Sequence, residues 1–189
     1  VRHPCLTHDW LDLGGLAARI GKSSNFRFAW QFYVFEAIAP RSSHGIREAL
    51  NLMIASPELH AFLRNSFENS VYQEAFWIEP LHEHCRIEDA PDFENTLAAA
   101  AADRLGAYSR DLRPATEKES AEIAAMFGSV GDYRAYQLLP GNVTGCADCH
   151  AFNYHLFTSW FYGVAWDWCF LVTWPKQKLL WLGCLTDTD

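Results

Sequence analysis

Two groups of residues in this chain have types and spacings that could do chemistry. The first is Cys146-Ala-Asp-Cys149-His150. It matches C-x-x-C-H, the spacing at which two thioether bonds attach a c-type haem and the histidine becomes an axial ligand. Such attachment needs an exported, oxidising assembly route. The chain opens on Val1-Arg2-His3-Pro4-Cys5 with no apolar stretch behind it, so no secretory signal is visible. The same thiols and imidazole suit zinc, whose structural sites take four N or S ligands in a tetrahedron. Cys146 and Cys149 would supply one pair, His150 or His155 a third ligand, and His82-Glu83-His84-Cys85 the remainder. The plainer alternative is that both cysteines are small packing residues in a turn.

Other chemistries fail on spacing. A zinc deaminase needs H-x-E followed by P-C-x-x-C. Here His82 and Glu83 are adjacent, and Gly145 stands where the proline belongs. A thioredoxin-like C-x-x-C needs a βαβ setting, and Cys146 follows a glycine-rich segment instead. G-x-S-x-G, the Walker A loop, the dinucleotide fingerprint and H-E-x-x-H are all absent from the sequence.

The second group is acidic. Glu74, Glu79, Glu83, Glu88, Asp89, Asp92 and Glu94 fall in one stretch against a single basic residue, Arg86, with Phe76, Trp77 and Phe93 interleaved. Carboxylates speed encounter with a basic protein, and aromatic side chains supply the buried contacts that hold it. Glu79, Glu83, Glu88, Asp89, Asp92 and Glu94, with Trp77 as anchor, are therefore the candidate partner-binding residues. The alternative is a solvated linker whose aromatics point inward.

The elements that must position these groups read as follows. Leu6 to Ile20 has helical character. Phe26 to Ala39 alternates like a strand, yet Ser23-Ser24-Asn25 before it and Pro40 after it suit a helix, which is the expectation adopted. Ser43 to Ala55 reads as a helix with Ile46, Leu50, Met53 and Ile54 inward. Ser56-Pro57-Glu58 starts another, with Leu59, Phe62, Leu63 and Phe67 as its stripe. Asp92 to Tyr108 is a helix on its alanine content. Thr116 and Glu119 form a capping box for a helix ending at Gly128. Residues 128 to 145 read as turns. Trp166 to Trp174 and Leu179 to Leu185 read as a β-hairpin around Pro175 to Lys178. The predicted fold is α+β: mainly helical over the first two-thirds, closed by a Trp-rich hairpin or small antiparallel sheet. It is one domain, with a candidate division into 1–127 and 146–189.

Composition narrows the roles. Half of the 189 residues are hydrophobic and 15% aromatic, enough for a core without a staple. The net charge of −8 disfavours nucleic-acid binding, which uses clustered Lys and Arg. Base stacking by Trp160, Trp166, Trp168, Trp174 and Trp181 would have only Lys176 and Lys178 beside it, so these rings read as core and cover of the sheet. No apolar run reaches a membrane span, since Asp167 interrupts the richest one. The six cysteines read as reduced, mostly buried thiols in a cytoplasmic protein.

The segment Trp160-Phe-Tyr-Gly-Val-Ala-Trp-Asp-Trp-Cys-Phe-Leu-Val-Thr-Trp174, with Leu180-Trp-Leu-Gly183, resembles the C-terminal part of bacterial immunity proteins. These are the antitoxins of polymorphic-toxin, type VI secretion and contact-dependent inhibition systems, here similar to the partners of restriction-endonuclease-like toxins. The resemblance covers about the last quarter of the chain. It implies a compact acidic α+β protein, not an enzyme, that neutralises a basic cognate toxin by occlusion and charge complementarity. It implies no catalytic residues and no cofactor, and a homodimer stays open. The alternative is a zinc protein or zinc enzyme using Cys146, Cys149 and His150.

Overall fold

A computed structural model describes residues 2–4, 13–20, 26–35, 40–67, 76–83, 85–105, 113–140, 156–161 and 167–187. In chain order these form β1 (Arg2–Pro4), α1 (Leu13–Ile20), β2 (Phe26–Val34), α2 (Ser43–Ile54), α3 (Pro57–Phe67), β3 (Arg86–Asp89), α4 (Phe93–Ala101), α5 (Glu117–Gly128), β4 (Arg134–Leu139), β5 (Asp167–Trp174) and β6 (Leu179–Asp187). The strands make one sheet in the order β1-β2-β6-β5-β4-β3, with every pairing antiparallel.

The hairpin anticipated at Trp174 and Leu179 forms its centre. The expectation of a mainly helical first two-thirds is overturned. The class is α+β, but β1, β2 and β3 all lie in that part of the chain. β2 is the instructive case, because its residues were expected to be helical. It pairs along its whole length with β6, from Phe26 opposite Asp187 to Val34 opposite Leu179. Its alternation separates two apolar sets. Ala29 and Tyr33 enter one core, and Phe28, Trp30, Phe32 and Val34 face the other. A strand buried on both faces outweighs a cap-like Ser-Ser-Asn before it.

The two cores define three layers. On one face α2 and α3 bring Ile46, Leu50, Met53, Leu59 and Leu63 against Tyr33, Leu180, Leu182, Cys169 and Leu171. On the other, α1, α4 and α5 bring Leu16, Ile20, Phe93, Leu97, Ile123 and Phe127 against Phe32, Phe170, Val172, Trp174 and Trp181. Trp174 and Trp181 are fully buried, and Phe127 stacks on Trp174 with ring centroids 5.8 Å apart. The Trp174 indole N–H donates to the carbonyl of Phe127 at 3.0 Å, which ties α5 to the sheet. Trp181 lies across Gly183, two residues on in the same strand.

Local signals hold where capping chemistry sets them. Ser42 caps α2, accepting from the amide of Gly45 at 3.3 Å. The Thr116–Glu119 capping box is formed, and Arg104 donates twice to the Glu119 carboxylate, at 2.9 and 2.5 Å. The amide of Thr116 first, then Arg104 and the Thr116 hydroxyl, hold the Glu119 carboxyl down at about 2. No helix of the described residues is long and apolar enough to cross a membrane.

Candidate functional site

The acidic stretch is built on two short pieces of extended chain. The first is residues 76–80, bridged to 157–159 through Ile78 and Thr158. The Glu79 amide donates to the Phe157 carbonyl at 2.9 Å, and the Ser159 amide to the Trp77 carbonyl at 3.1 Å. The side chains add to this. The Trp77 amide donates to Ser159 Oγ, and Thr158 Oγ1 donates to the Trp77 carbonyl, each at 2.9 Å. The backing segment is firmly seated, since Leu156, Phe157, Trp160 and Phe161 are all core residues.

Extended chain alternates, and the packing follows. Phe76 and Ile78 lie against the core, with Arg64 5.4 Å from the centroid of the Phe76 ring. Alternation sends Trp77 and Glu79 to the opposite side. Trp77 is half-buried and Glu79 exposed. The expected anchor and the first expected carboxylate thus share one face of a pinned ribbon.

The second piece is β3, an edge strand. Ile87 points into the α2–α3 core, while Glu88 and Asp89 are exposed. Glu88 takes Arg86 as its partner at 2.6 Å, with both groups largely in water. Asp92 stands exposed at the N-cap of α4 and makes no side-chain cap bond. Glu83 is exposed in the turn between the two pieces. Glu94 differs from the rest, because it accepts from the Tyr133 hydroxyl at 2.5 Å and is half-buried. Burial first, and the Glu94 carboxylate second, push the Tyr133 phenol well above the usual tyrosine range. Glu94 therefore serves the fold as much as any surface. Phe93 is a core residue outright. Glu74 lies outside the described residues.

Cys146, Cys149, His150 and His155, and with them His84, also lie outside the described residues. Among the described residues no three His, Cys, Asp or Glu side chains come together as a metal site. His82 is exposed and Cys85 buried. In the sequence four residues separate His150 from His155, an H-x₄-H that by type makes up a four-ligand set with Cys146 and Cys149. Cys85, Cys169 and Cys184 are buried thiols that form no disulfide. Cys169 and Cys184 sit directly opposite each other on β5 and β6, and burial first, then Cys184, raises the Cys169 thiol.

A cavity of about 210 Å³ opens between α1, α4 and α5, lined by Arg19, Ala98, Ala102, Glu119 and Ile123 among others. Ala98, Ala101 and Ala102 make up much of its lining, and Glu119 is already committed to Arg104 and Thr116. Comparison with protein-family models, with curated proteins and with solved structures found no match for the chain.

Proposed function

We propose that this chain is a stoichiometric inhibitor of the immunity-protein type, which neutralises a basic cognate toxin by covering it. The observation that supports the reading most is the pinned ribbon. Trp77 and Glu79 share an outward face held by backbone and side-chain hydrogen bonds to 157–159. Glu83, Glu88, Asp89 and Asp92 lie exposed in the sequence that follows. A half-buried tryptophan on a rigid support loses little conformational freedom on binding, which is what a hot-spot anchor requires. The carboxylates add encounter rate and register. Glu94 is left out of the contact set because Tyr133 occupies it.

The test uses the product of the gene adjacent to this one. Binding is measured by titration calorimetry at two salt concentrations for the wild type, for Trp77→Ala, and for Glu79→Lys combined with Asp92→Lys. Loss of the anchor is expected to cost about 2 kcal/mol or more, the hot-spot range, so about 30-fold in Kd. The charge reversal is expected to weaken binding and flatten its salt dependence. A complex that forms with unchanged affinity in both variants would remove the ribbon from the reading.

A further inference from the structure

The outer edge of β3 carries an inference that goes beyond a charged surface and rests on the protein-binding reading above. In an antiparallel pair, alternate residues exchange both backbone bonds with the neighbour while the residues between them point away. The Ala90 amide donates to the Ala135 carbonyl at 3.0 Å, and these two residues are in register. Two and four residues earlier, Glu88 bonds to Gln137 and Arg86 to Leu139. The N–H and C=O of Ile87 and of Asp89 therefore face outward, as does the carbonyl of Cys85. The last of these is already covered, because Arg47 of α2 donates to it. Among the described residues, no strand lies outside β3. Two donors and two acceptors stand in line along this edge, between the Arg47 cap and Pro91, which has no N–H to offer.

We infer that this edge receives a strand from the partner, extending the six-stranded sheet by a seventh, and that the incoming segment is rich in Lys or Arg. The backbone supplies the pairing, as in other edge-addition complexes. The side chains choose the occupant. Glu88 projects on one face, where Arg86 already pairs with it, and Asp89 on the other, so the charge left for an incoming strand is chiefly the Asp89 carboxylate. A basic residue opposite Asp89 is favourable, while an acidic one is repelled. Self-pairing of two β3 strands about Glu88 or about Asp89 would set carboxylate against carboxylate, whereas pairing about Ile87 would set Arg86 against Glu88. A second copy is therefore the competing occupant, and protection of Ile87 and Asp89 that rises with protein concentration in the absence of peptide overturns the inference. Charges on an edge usually serve only to stop self-pairing; here the excess carboxylate also admits a strand of opposite sign.

The experiment uses the ¹⁵N-labelled full chain and a synthetic probe, a capped peptide of about eight residues with Lys alternating with Val. Amide exchange is followed by NMR. The Ile87 and Asp89 amides are expected to exchange readily in the free protein and to slow by about tenfold or more when the peptide saturates, because they gain a backbone partner. The Arg86 and Glu88 amides, already bonded within the sheet, should not change. A Glu-Val peptide of equal length should have no effect. Asp89→Asn keeps the amide and should retain the Ile87 protection at weaker affinity. Asp89→Pro removes an N–H that faces away from β4, so the ladder survives and the docking should be lost. No slowing at Ile87 and Asp89, equal slowing with the Glu-Val peptide, or full binding by Asp89→Pro each overturns the inference. The adjacent gene's product plays no part in this test. Failure here with an intact Trp77-dependent complex defeats strand addition alone, and the reverse result defeats the toxin-binding reading alone.

Discussion

Gly183→Ala is a substitution whose sign is decided by one contact. Gly183 lies in β6, between β2 and β5, opposite Trp30 and Phe170. A Cβ built there would come within 2.6 Å of Trp181 Cζ2 and closer still to Cζ3 and Cη2. Carbon atoms prefer about 3.5–4.0 Å, so the ring would have to retreat by roughly an ångström. It has nowhere to go. Trp181 is fully buried, with the rings of Phe127 and Phe93 at 5.2 and 6.0 Å and Phe28 at 6.3 Å. Overpacking of this kind costs about 1–3 kcal/mol, and a wedged central ring belongs at the upper end. Against that, replacing a strand-interior glycine with alanine recovers roughly 0.5–1 kcal/mol of backbone entropy. The net expectation is a loss of about 2 kcal/mol, which lowers Tm by roughly 4–8 °C for a chain of this size. Urea denaturation should show a lower midpoint at unchanged slope. The control is Trp181→Leu, which leaves a cavity and is destabilising alone. In that background Gly183→Ala should become neutral or stabilising. A Gly183→Ala protein as stable as wild type, or a penalty that persists undiminished in the Trp181→Leu background, would refute the clash.

Four further outcomes are expected. The Tyr33 phenol is raised chiefly by burial and Tyr133 by burial and Glu94, so both stay protonated in the fold above the ordinary tyrosine pKa. Their stabilising contribution is complete below about pH 10 and lost as pH rises past it, so denaturation midpoints should fall at alkaline pH, less steeply in Tyr133→Phe. Glu119 is held at about 2, so its contribution is present above about pH 4.3 and lost as pH falls toward 2; Glu119→Gln should lose stability at neutral pH and flatten the acid limb of the midpoint curve. Thr116→Ala removes the N-cap of α5 and should cost about 1 kcal/mol in the same assay. Metal analysis of protein purified without a His tag should find zinc well below one per chain, and stoichiometric zinc lost in Cys149→Ser would instead revive the Cys146/Cys149 reading.

The sequence was most legible where side chains act on their own backbone. The Thr116–Glu119 box, the Ser56-Pro57 helix start and the hairpin about Pro175 to Lys178 are local chemistry, and each element stands where expected. β2 was misread because Ser23-Ser24-Asn25 and Pro40 look like helix ends and were set above its alternation. With Tyr33 at 1% exposure and Phe32 at 6%, both faces are buried, so that alternation separates one core from the other and not core from water. β4 was hidden by the glycines and prolines around it, although Tyr136 and Leu138 alternate inward. β3 was read as part of an acidic binding stretch and not as a strand, because three of its four residues are charged and only Ile87 is buried. For the candidate site, the residue types could be read but their grouping could not. Nothing in the sequence pairs Trp77 with Ser159, or places Tyr133 on Glu94, because both depend on contacts 82 and 39 residues apart.

The place of β6 in the sheet has a consequence for synthesis. β2 emerges among the first elements of the chain, yet its partner along nine residues is the last strand of the sheet. Until β6 arrives, Phe26 to Val34 is a nascent, largely apolar segment with high β-propensity and only the three residues of β1 to pair with. The α2–α3 layer cannot shelter it either, because Leu180, Leu182 and Cys184 make up part of the surface those helices cover. The fold therefore closes as a late, long-range event, slow by the rule that distant pairings cost loop entropy before they reward it. During translation the chain should be a client for factors that hold apolar strands, and its yield in a cell should follow their supply.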